Sequence, residues 1–328
     1  MNAKRVASAR LGGLFSALLL ISAAVILASC FSSDATVGVS IQNIYVTQSS
    51  EGGGGVLVFP LTASGNVAPT AFITGGNTNL DDPHRSALDS SGNIYVTDAN
   101  NSVTVYPAGA SGNVAPIITL SGGATGLDFP NGIAFDSTGN LYVTNYDGNS
   151  VTVYSPGVTG DATPTATIIG LNTGLSDPHG VAIDSAKKIY VSNYDSNSVT
   201  VYAAGASGNA TPVATISGAN TGLNFPHGIA LDAAGNIYVA SANANSVVVF
   251  AAGASGNATP TATISGANTG LGHPNGIALD AKGNIYVVNN NGASVTVYAA
   301  GASGNATPTA TISGANTGFA DLHGISVQ

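Results

Sequence analysis

Apolar and polar positions along the chain fall into short runs that are rich in valine, isoleucine, threonine and tyrosine. Four such runs recur in a fixed order, as in GIALD (228–232), NIYVTD (93–98), SVTVY (102–106) and PTATIS (260–265), and we name them runs a to d. Residues of these types favour β-strands, and beyond the first thirty residues no long stretch shows the 3.6-residue spacing of a helix. The pattern therefore predicts an all-β protein.

The four runs belong to a repeat of 47 or 48 residues, measured from one proline to the next. Complete copies begin at Asp82, Phe129, Asp177, Phe225 and His273. Between runs a and b, the pattern D-x-x-G-N predicts a tight turn in which the aspartate bonds the backbone. A unit of this length is one supersecondary element, and its two apolar faces require that copies stack on one another.

The two ends of the repeat array are incomplete in complementary ways. QNIYVTQ (42–48) opens with run b and is followed by runs c and d, whereas LHGISVQ (322–328) supplies a run a alone. Joined, they make a sixth unit and hide a strand edge that would otherwise recruit other strands. We therefore predict a six-bladed β-propeller over residues 40–328, with four-stranded antiparallel blades and velcro closure by the N- and C-terminal strands.

The repeat resembles a known family. PHGIALDAAGNIYVASANANSVVVF (226–250) and the other copies are similar to NHL repeats, whose pattern is P-x-G-h-A-h-D, then G-N-h-Y-V-A-D, then N-x-R-h-x-V-F, with h apolar. The resemblance implies a propeller and says much less about activity. The arginine before run c is replaced by Ser-Val, as at Ser102-Val103 and Ser246-Val247, so the charged contacts of other NHL propellers are not expected here.

The first thirty residues carry an export pattern. Lys4, Arg5 and Arg10 precede the apolar run LFSALLLISAAVILAS, which ends in LASC. This resembles a bacterial lipoprotein signal, with a signal peptide over 1–29, lipidation of Cys30 and a linker over 30–39. A membrane-spanning anchor is the alternative. The lipoprotein interpretation predicts an exported protein that is lipid-anchored to the bacterial cell envelope, at the outer membrane or cell surface, since Phe31 rather than aspartate follows the cysteine.

Charge and cysteine content narrow the possible partners. After the predicted signal, 4 basic and 16 acidic side chains remain, which gives a formal charge of −12. Nucleic acid is therefore an unfavourable partner. No cysteine follows Cys30, so backbone pairing and apolar packing must supply the stability. We expect a monomer that meets a membrane through Cys30 and binds an unidentified protein, peptide or glycan.

Histidines mark a candidate site. In a propeller, run a is innermost, and the residue that opens it, after the proline or after Leu322 in the last copy, should point to one mouth of the central channel; these residues are His84, Asn131, His179, His227, Asn275 and His323. Converging neutral imidazoles suit zinc. The alternative is that duplication copied an ordinary Pro-His-Gly strand start. His273 stands before its proline and is not part of this ring.

A second resemblance concerns these histidines. The peptidyl-α-hydroxyglycine amidating lyase is also a propeller of this type, with zinc histidines at the Pro-His opening of run a. The resemblance implies zinc ligands at His84, His179, His227 and His323. Its catalytic tyrosine and arginine are matched less well, by Tyr146 or Tyr194 and by Arg85.

Polar residues at the end of run b form a second candidate ring. Asn145, Tyr146, Asn193 and Tyr194, together with Asn131 and Asn275, are the predicted ligand-binding residues. The alternative role for this second ring is turn and strand-end capping. Apart from Tyr146 and Tyr194, few aromatic residues are expected beside this ring, whereas sugar-binding sites usually contain more.

Other catalytic classes have little sequence support. Lactonases of the gluconolactonase family need a glutamate metal ligand, and Glu51 is the sole glutamate. No Gly-x-Ser-x-Gly elbow, P-loop or Cys-x-x-Cys pair occurs. The leading hypothesis is therefore a binding module for a small polar ligand, glycan or protein at the channel mouth. Two alternatives are a zinc-dependent lyase or hydrolase that uses the histidine ring, and a passive surface or adhesion module.

Overall fold

A computed structural model describes residues 42–49 and 54–328. Its first twelve strands are β1 (Asn43–Ser49), β2 (Gly55–Pro60), β3 (Ala71–Thr74), β4 (Pro83–Leu88), β5 (Ile94–Asp98), β6 (Ser102–Tyr106), β7 (Ile118–Ser121), β8 (Pro130–Phe135), β9 (Leu141–Asn145), β10 (Ser150–Tyr154), β11 (Ala166–Ile169) and β12 (Pro178–Ile183). The other twelve are β13 (Ile189–Asn193), β14 (Ser198–Tyr202), β15 (Ala214–Ile216), β16 (Pro226–Leu231), β17 (Ile237–Ser241), β18 (Ser246–Phe250), β19 (Ala262–Ile264), β20 (Pro274–Leu279), β21 (Ile285–Asn289), β22 (Ser294–Tyr298), β23 (Ala310–Ile312) and β24 (Asp321–Val327). One short 3₁₀ turn, Ala315–Thr317, precedes β24.

The described strands form six sheets of four antiparallel strands each. Blade 1 has the order β24-β1-β2-β3, so its innermost strand comes from the far end of the chain. Strand β1 pairs with β24 from Ile44↔Val327 to Ser49↔Asp321. Blades 2 to 6 are built from consecutive strands, β4–β7 through β20–β23. The predicted six-bladed propeller with velcro closure is confirmed.

The core lies between the blades. The run a strands β4, β8, β12, β16, β20 and β24 contact one another in a closed circle around the channel. Each apolar cluster combines side chains from two neighbouring blades, as where Ile44 and Leu322 of blade 1 pack with Val288 of blade 6. Because every blade buries both faces in this way, the array has the stacked architecture that its repeat requires.

The outer strand of each blade is also covered. The glycine loop of the following blade forms a parallel bridge to run d, as in Ile168↔Gly208, and the last of these bridges, Gly65↔Ile312, joins blades 1 and 6. Beside each bridge, an Asn or Asp side chain accepts a hydrogen bond from the loop after run d; Asn209 Oδ1 accepts from Asn172 N at 2.8 Å. These contacts protect edges that would otherwise be open to pairing.

The turns between runs a and b follow the predicted chemistry. Asp232 Oδ1 accepts from the backbone N–H groups of Ala234 and Asn236, at 2.9 and 2.8 Å. Burial alone would raise the pKa of this carboxyl group, but the hydrogen bonds outweigh burial and lower it.

Several predictions concern residues outside the described range. They are the signal peptide over 1–29, the linker over 30–39, lipidation of Cys30 and the environment of Glu51, and they stay predictions. Within residues 42–49 and 54–328, no helix has the length and apolar character needed to cross a membrane.

Candidate functional site

A β-bulge aims the residue after each proline toward the channel mouth. In blades 2 to 6 the pairing of run a with run b shifts register between the proline and the third residue after it, as between Pro178 and Val181. The β1–β24 pairing shifts at the corresponding place, which leaves His323 out of register. A bulge leaves its extra residue unpaired and redirects its side chain. The histidine or asparagine in each blade is that residue.

The residue before the proline is held in an unusual backbone conformation. Phe129, Phe225 and His273 have positive φ angles of 52°, 52° and 48°. An asparagine from the preceding blade accepts a hydrogen bond from each of their N–H groups; Asn197 Oδ1 accepts from Phe225 N at 2.6 Å. Large side chains rarely adopt this conformation, and such strain persists only where surrounding contacts impose it.

The bulge residues, together with Phe129 and His273, open onto one cavity of about 490 Å³ at the channel mouth. This mouth pocket is lined by Asp82, His84, Phe129, Asn131, Tyr146, His179, Tyr194, His227, His273, Asn275, Asn290, Asp321 and His323. The structure thus brings together all six residues predicted to open run a, with Tyr146 and Tyr194. His273, which the sequence analysis set apart, lines the same pocket.

Aromatic rings follow one another around the mouth. In order they are His323, His84, Phe129, Tyr146, His179, Tyr194, His227 and His273, with neighbouring ring centres 4.9 to 5.6 Å apart. Phe225 stacks on Tyr194 at 4.4 Å. Asn290 closes the remaining gap through its hydrogen bond to Leu322 O at 3.2 Å. The mouth is richer in aromatic rings than the sequence analysis expected, because the positions before the prolines contribute to it.

Three imidazoles of the mouth are neutral at pH 7. Burial, followed by the nearby charge of Arg85, lowers the pKa of His227 to about 3. Burial and then the neighbouring His84 ring lower the pKa of His323 to about 4, and burial and His227 lower that of His179 well below its usual value. Burial and Asp177 raise the pKa of Tyr146 to about 12, so its hydroxyl stays protonated.

One side of the pocket carries carboxylates. The Nε2 atoms of His84 and His323 lie 3.6 and 3.9 Å from the carboxylate of Asp82, and the contact with His84 lowers the pKa of Asp82. Ser49 Oγ lies 3.1 Å from His323 Nε2, and Asp321 lies 3.7 Å from that same nitrogen. In a catalytic triad, the serine and the carboxylate contact different nitrogens of the histidine ring. Here both Ser49 and Asp321 lie near Nε2 of His323, so these residues do not form a triad.

Unpartnered polar atoms concentrate in the mouth pocket. Among the described residues, six buried side-chain polar atoms lack a hydrogen-bond partner, and five of them belong to pocket residues. Those five are Asp82 Oδ1, Asn131 Oδ1, His179 Nδ1, His227 Nε2 and His273 Nδ1. A buried polar atom without a partner costs about 1–3 kcal/mol, so such a cluster indicates a place where a ligand supplies the partners.

The histidines are not arranged as a formed metal site. His84 and His323 make one close pair, with ring centres 5.2 Å apart, and His179 and His227 make another at 4.4 Å. Across residues 42–49 and 54–328, no three His, Cys, Asp or Glu side chains are placed to hold one metal ion. The resemblance-based zinc set therefore does not fit as arranged, and zinc binding stays a prediction.

Two predicted ligand-binding residues do not line the pocket. Asn145 and Asn193, at the ends of β9 and β13, are fully buried. Asn193 Oδ1 accepts from Ser176 N, and its Nδ2 donates to Thr200 Oγ1 at 3.0 Å. Asn145 makes the equivalent bonds to Asp128 N and Thr152 Oγ1. These side chains turn toward their own hairpins, and their amides serve as caps.

Family and fold comparisons agree with the propeller. The family model described as "Lactonase, 7-bladed beta-propeller" matches residues 28–265 and 94–321. The described residues form six blades, one fewer than that description, because six repeats including the shared blade complete the circle. The lack of a second glutamate disfavours the metal-dependent gluconolactonase class; the family match nonetheless lies in a lactonase family. No curated protein sequence matches the chain.

Solved structures share the fold at low identity. A protein of unknown function from Bacteroides caccae aligns with a TM-score of 0.64 at 11% identity, over 88% of this chain and 99% of its own. A putative 6-phosphogluconolactonase from Bacteroides uniformis ATCC 8492 aligns at 0.57 and 14%, over 88% and 100%. A streptogramin B lyase aligns at 0.55 and 16%, over 86% of both chains. At these identities the likeness concerns the fold.

Proposed function

Because the chain belongs to the Lactonase, 7-bladed beta-propeller family, we propose that its mouth pocket binds a small, neutral, hydroxyl-rich ligand such as a mono- or disaccharide or a sugar lactone. The observation that carries the proposal is the set of five unpartnered buried polar atoms in one pocket. Two of them are oxygens of Asp82 and Asn131, which only accept hydrogen bonds, so the pocket favours a ligand that is rich in donors.

Size and surface chemistry support the same ligand class. A cavity of about 490 Å³ lies within the range of small-molecule sites. The rings of Phe129, Tyr146 and Tyr194 offer apolar faces against which a sugar ring can stack, while the asparagines and imidazoles provide hydrogen bonds around it. In the proposed arrangement the ligand lies across the mouth, enclosed by rings from all six blades.

Binding fits the pocket better than hydrolysis does. A general base works best when its pKa lies near the working pH, whereas the pKa values of His227 and His323 are about 3 and 4. Such weakly basic imidazoles are effective hydrogen-bond partners and poor proton acceptors. The serine nearest to His323 also lacks the relay of a nucleophilic triad. The lipid-anchored location that the N-terminal sequence predicts would place this binding module at the cell envelope.

Replacing Tyr194 with leucine should weaken saccharide binding roughly three- to tenfold, because a stacked aromatic pair contributes about 0.5–1.5 kcal/mol beyond its buried area. The probes are glucose, galactose, mannose, maltose, lactose and glucono-δ-lactone, titrated calorimetrically into the full-length protein. Lactone turnover is monitored in parallel.

Tyr238→Leu is the matched control. Tyr238 is a partly buried tyrosine whose hydroxyl contacts Asp232 in an a-to-b turn, outside the mouth pocket, so its replacement should leave binding unchanged. Silence of all six probes would refute the proposed ligand class. Equal weakening by the two variants would show that the ligand binds elsewhere, and efficient lactone turnover would replace the binding role with catalysis.

A further inference from the structure

Arg85 occupies a position that the other five blades reserve for glycine. It follows His84 in the bulge, where the other blades have Gly132, Gly180, Gly228, Gly276 and Gly324. The guanidinium enters the channel below the mouth pocket, where a second cavity of only about 60 Å³ remains, and Arg85 is 8% exposed. Gly276 leaves room for this long side chain, since a Cβ atom there would lie 3.1 Å from Arg85 Nη1.

The guanidinium enters the channel and contacts the neighbouring blade 1 and, beyond it, blade 6. Its Nη1 donates to the carbonyl oxygens of Asn275 and His323 at 3.1 and 3.0 Å, and its Nη2 donates to Asn275 Oδ1 at 2.9 Å. Arginine has only donors, so it must face the oxygen of the Asn275 amide and not its NH₂ group. The orientation of the Asn275 side chain is therefore determined by the cation beneath it.

The same oxygen reaches a histidine in the mouth. Asn275 Oδ1 lies 3.0 Å from His227 Nδ1. Because a carbonyl oxygen only accepts, Nδ1 must carry the hydrogen, and a neutral ring then has a lone pair at Nε2. That Nε2 atom is buried without a partner, the residue is 7% exposed, and its ring lines the pocket.

We infer that Arg85, acting through Asn275, is a positioning residue that fixes His227 with its hydrogen on Nδ1, so that Nε2 accepts a hydrogen bond from one hydroxyl of the ligand. The inference deepens the proposed function and rests on it for the ligand, while the tautomer itself is a property of the free protein. A ligand that offers no donor at this point would leave the buried nitrogen unpaired and bind less tightly.

On the opposite side of the mouth, Asn131 has no arginine beneath it, and this residue provides the control. Asn131 follows its proline as Asn275 does, and its Nδ2 lies 3.4 Å from His84 Nδ1. Its Oδ1 has no partner, and Arg85 makes no hydrogen bond to its side chain. The orientation of the Asn131 amide is thus not determined by a cation. Removing this amide should leave the tautomer of His227 unchanged.

Nitrogen NMR of the histidine rings tests the inference without any ligand. In ¹⁵N-histidine-labelled full-length protein, His227 should show a protonated, pyrrole-type Nδ1 and an unprotonated, pyridine-type Nε2 at pH 7. Asn275→Ala and Arg85→Met should each convert this signature into a mixture of tautomers. Asn275→Asp, which keeps acceptors for both partners, and Asn131→Ala should both retain the original signature.

Two results would overturn the inference: a hydrogen on Nε2 of His227 in the unmodified protein, or an unchanged signature in both Asn275→Ala and Arg85→Met. If Arg85→Met does not fold, judged by circular dichroism, the unmodified protein and Asn275→Ala still decide the question. With any saccharide that binds, the deoxy analogue lacking the matching hydroxyl should bind roughly three- to tenfold more weakly, and Asn275→Ala should lose that discrimination. A silent saccharide panel would refute the proposed function and leave the tautomer result intact.

Discussion

Deletion of residues 322–328 should abolish cooperative unfolding of a monomeric propeller. Strand β24 is the innermost strand of blade 1 and buries Leu322 and Ile325. Losing about four net backbone hydrogen bonds, each worth about 0.5–1.5 kcal/mol, and two buried side chains, each worth about 1.5–3 kcal/mol, would cost on the order of 5 to 12 kcal/mol. That cost is comparable with the whole stability of a typical domain. Thermal unfolding followed by circular dichroism, with size-exclusion chromatography for association, measures the effect.

Removing Gln328 alone provides the control for this deletion. Gln328 is exposed, and its backbone N–H donates a single hydrogen bond to Asn43 O at 3.1 Å. This shorter truncation should melt close to the full-length protein and remain monomeric. If the seven-residue truncation behaves in the same way, β24 does not close the ring.

Gly132→Ala should destabilise the protein by about 3 kcal/mol, because the channel wall has no room for a methyl group. A Cβ atom at this position would lie 2.3 Å from His179 O and 2.7 Å from Thr144 Oγ1. The first of these is a backbone atom of the next blade, so relief requires the two innermost strands to separate. Unfolding in guanidinium chloride gives the change in the free energy of unfolding.

Gly76→Ala is the matched substitution for this test. Gly76 lies in the loop after β3, where its backbone has an ordinary φ, and an added Cβ would meet nothing within 4 Å. Its replacement should change stability by less than about 0.5 kcal/mol, with any gain coming from a more restricted unfolded chain. Equal effects of the two substitutions would contradict the tight contact between run a strands.

The fold could be predicted from the sequence because each step depends on short-range pattern. The proline-to-proline period identifies the blade, and the complementary ends QNIYVTQ and LHGISVQ identify the closure. The pairing of β1 with β24 confirms both. Because the same local pattern recurs in every blade, the copies together give a strong signal even though each single strand signal is weak.

The site was predicted in part. The ring of residues that open run a could be predicted because one repeat position determines one place in the fold. Phe129 and His273 were missed because their direction depends on a left-handed backbone held by an asparagine of the preceding blade, a contact between repeats that no local pattern reveals. The sequence predicts Asn193 as a ligand-binding residue at the rim, but an asparagine at the end of run b can equally well be a strand-end cap. The serine and threonine in the next strand, Ser198 and Thr200, turn its amide inward.

The hydrogen bond between Arg85 and Asn275 could be predicted only in part from the sequence. The position of Arg85 near the mouth follows from the repeat, whereas its reach to Asn275 depends on the room beside Gly276, two blades away around the ring. The partners of a side chain that reaches past a neighbouring blade are determined by several blades at once.

Circular closure gathers the five histidines at one mouth, and a nuclear Overhauser experiment on the imidazole ring protons can measure their proximity. His84 and His323 stand 239 positions apart in the sequence, yet their ring centres lie 5.2 Å apart across the closed blade. We expect a cross-peak between the ring protons of His84 and His323, together with one between those of His179 and His227. A spectrum in which His179 and His227 show their cross-peak while His84 and His323 do not would contradict closure and the assembled pocket.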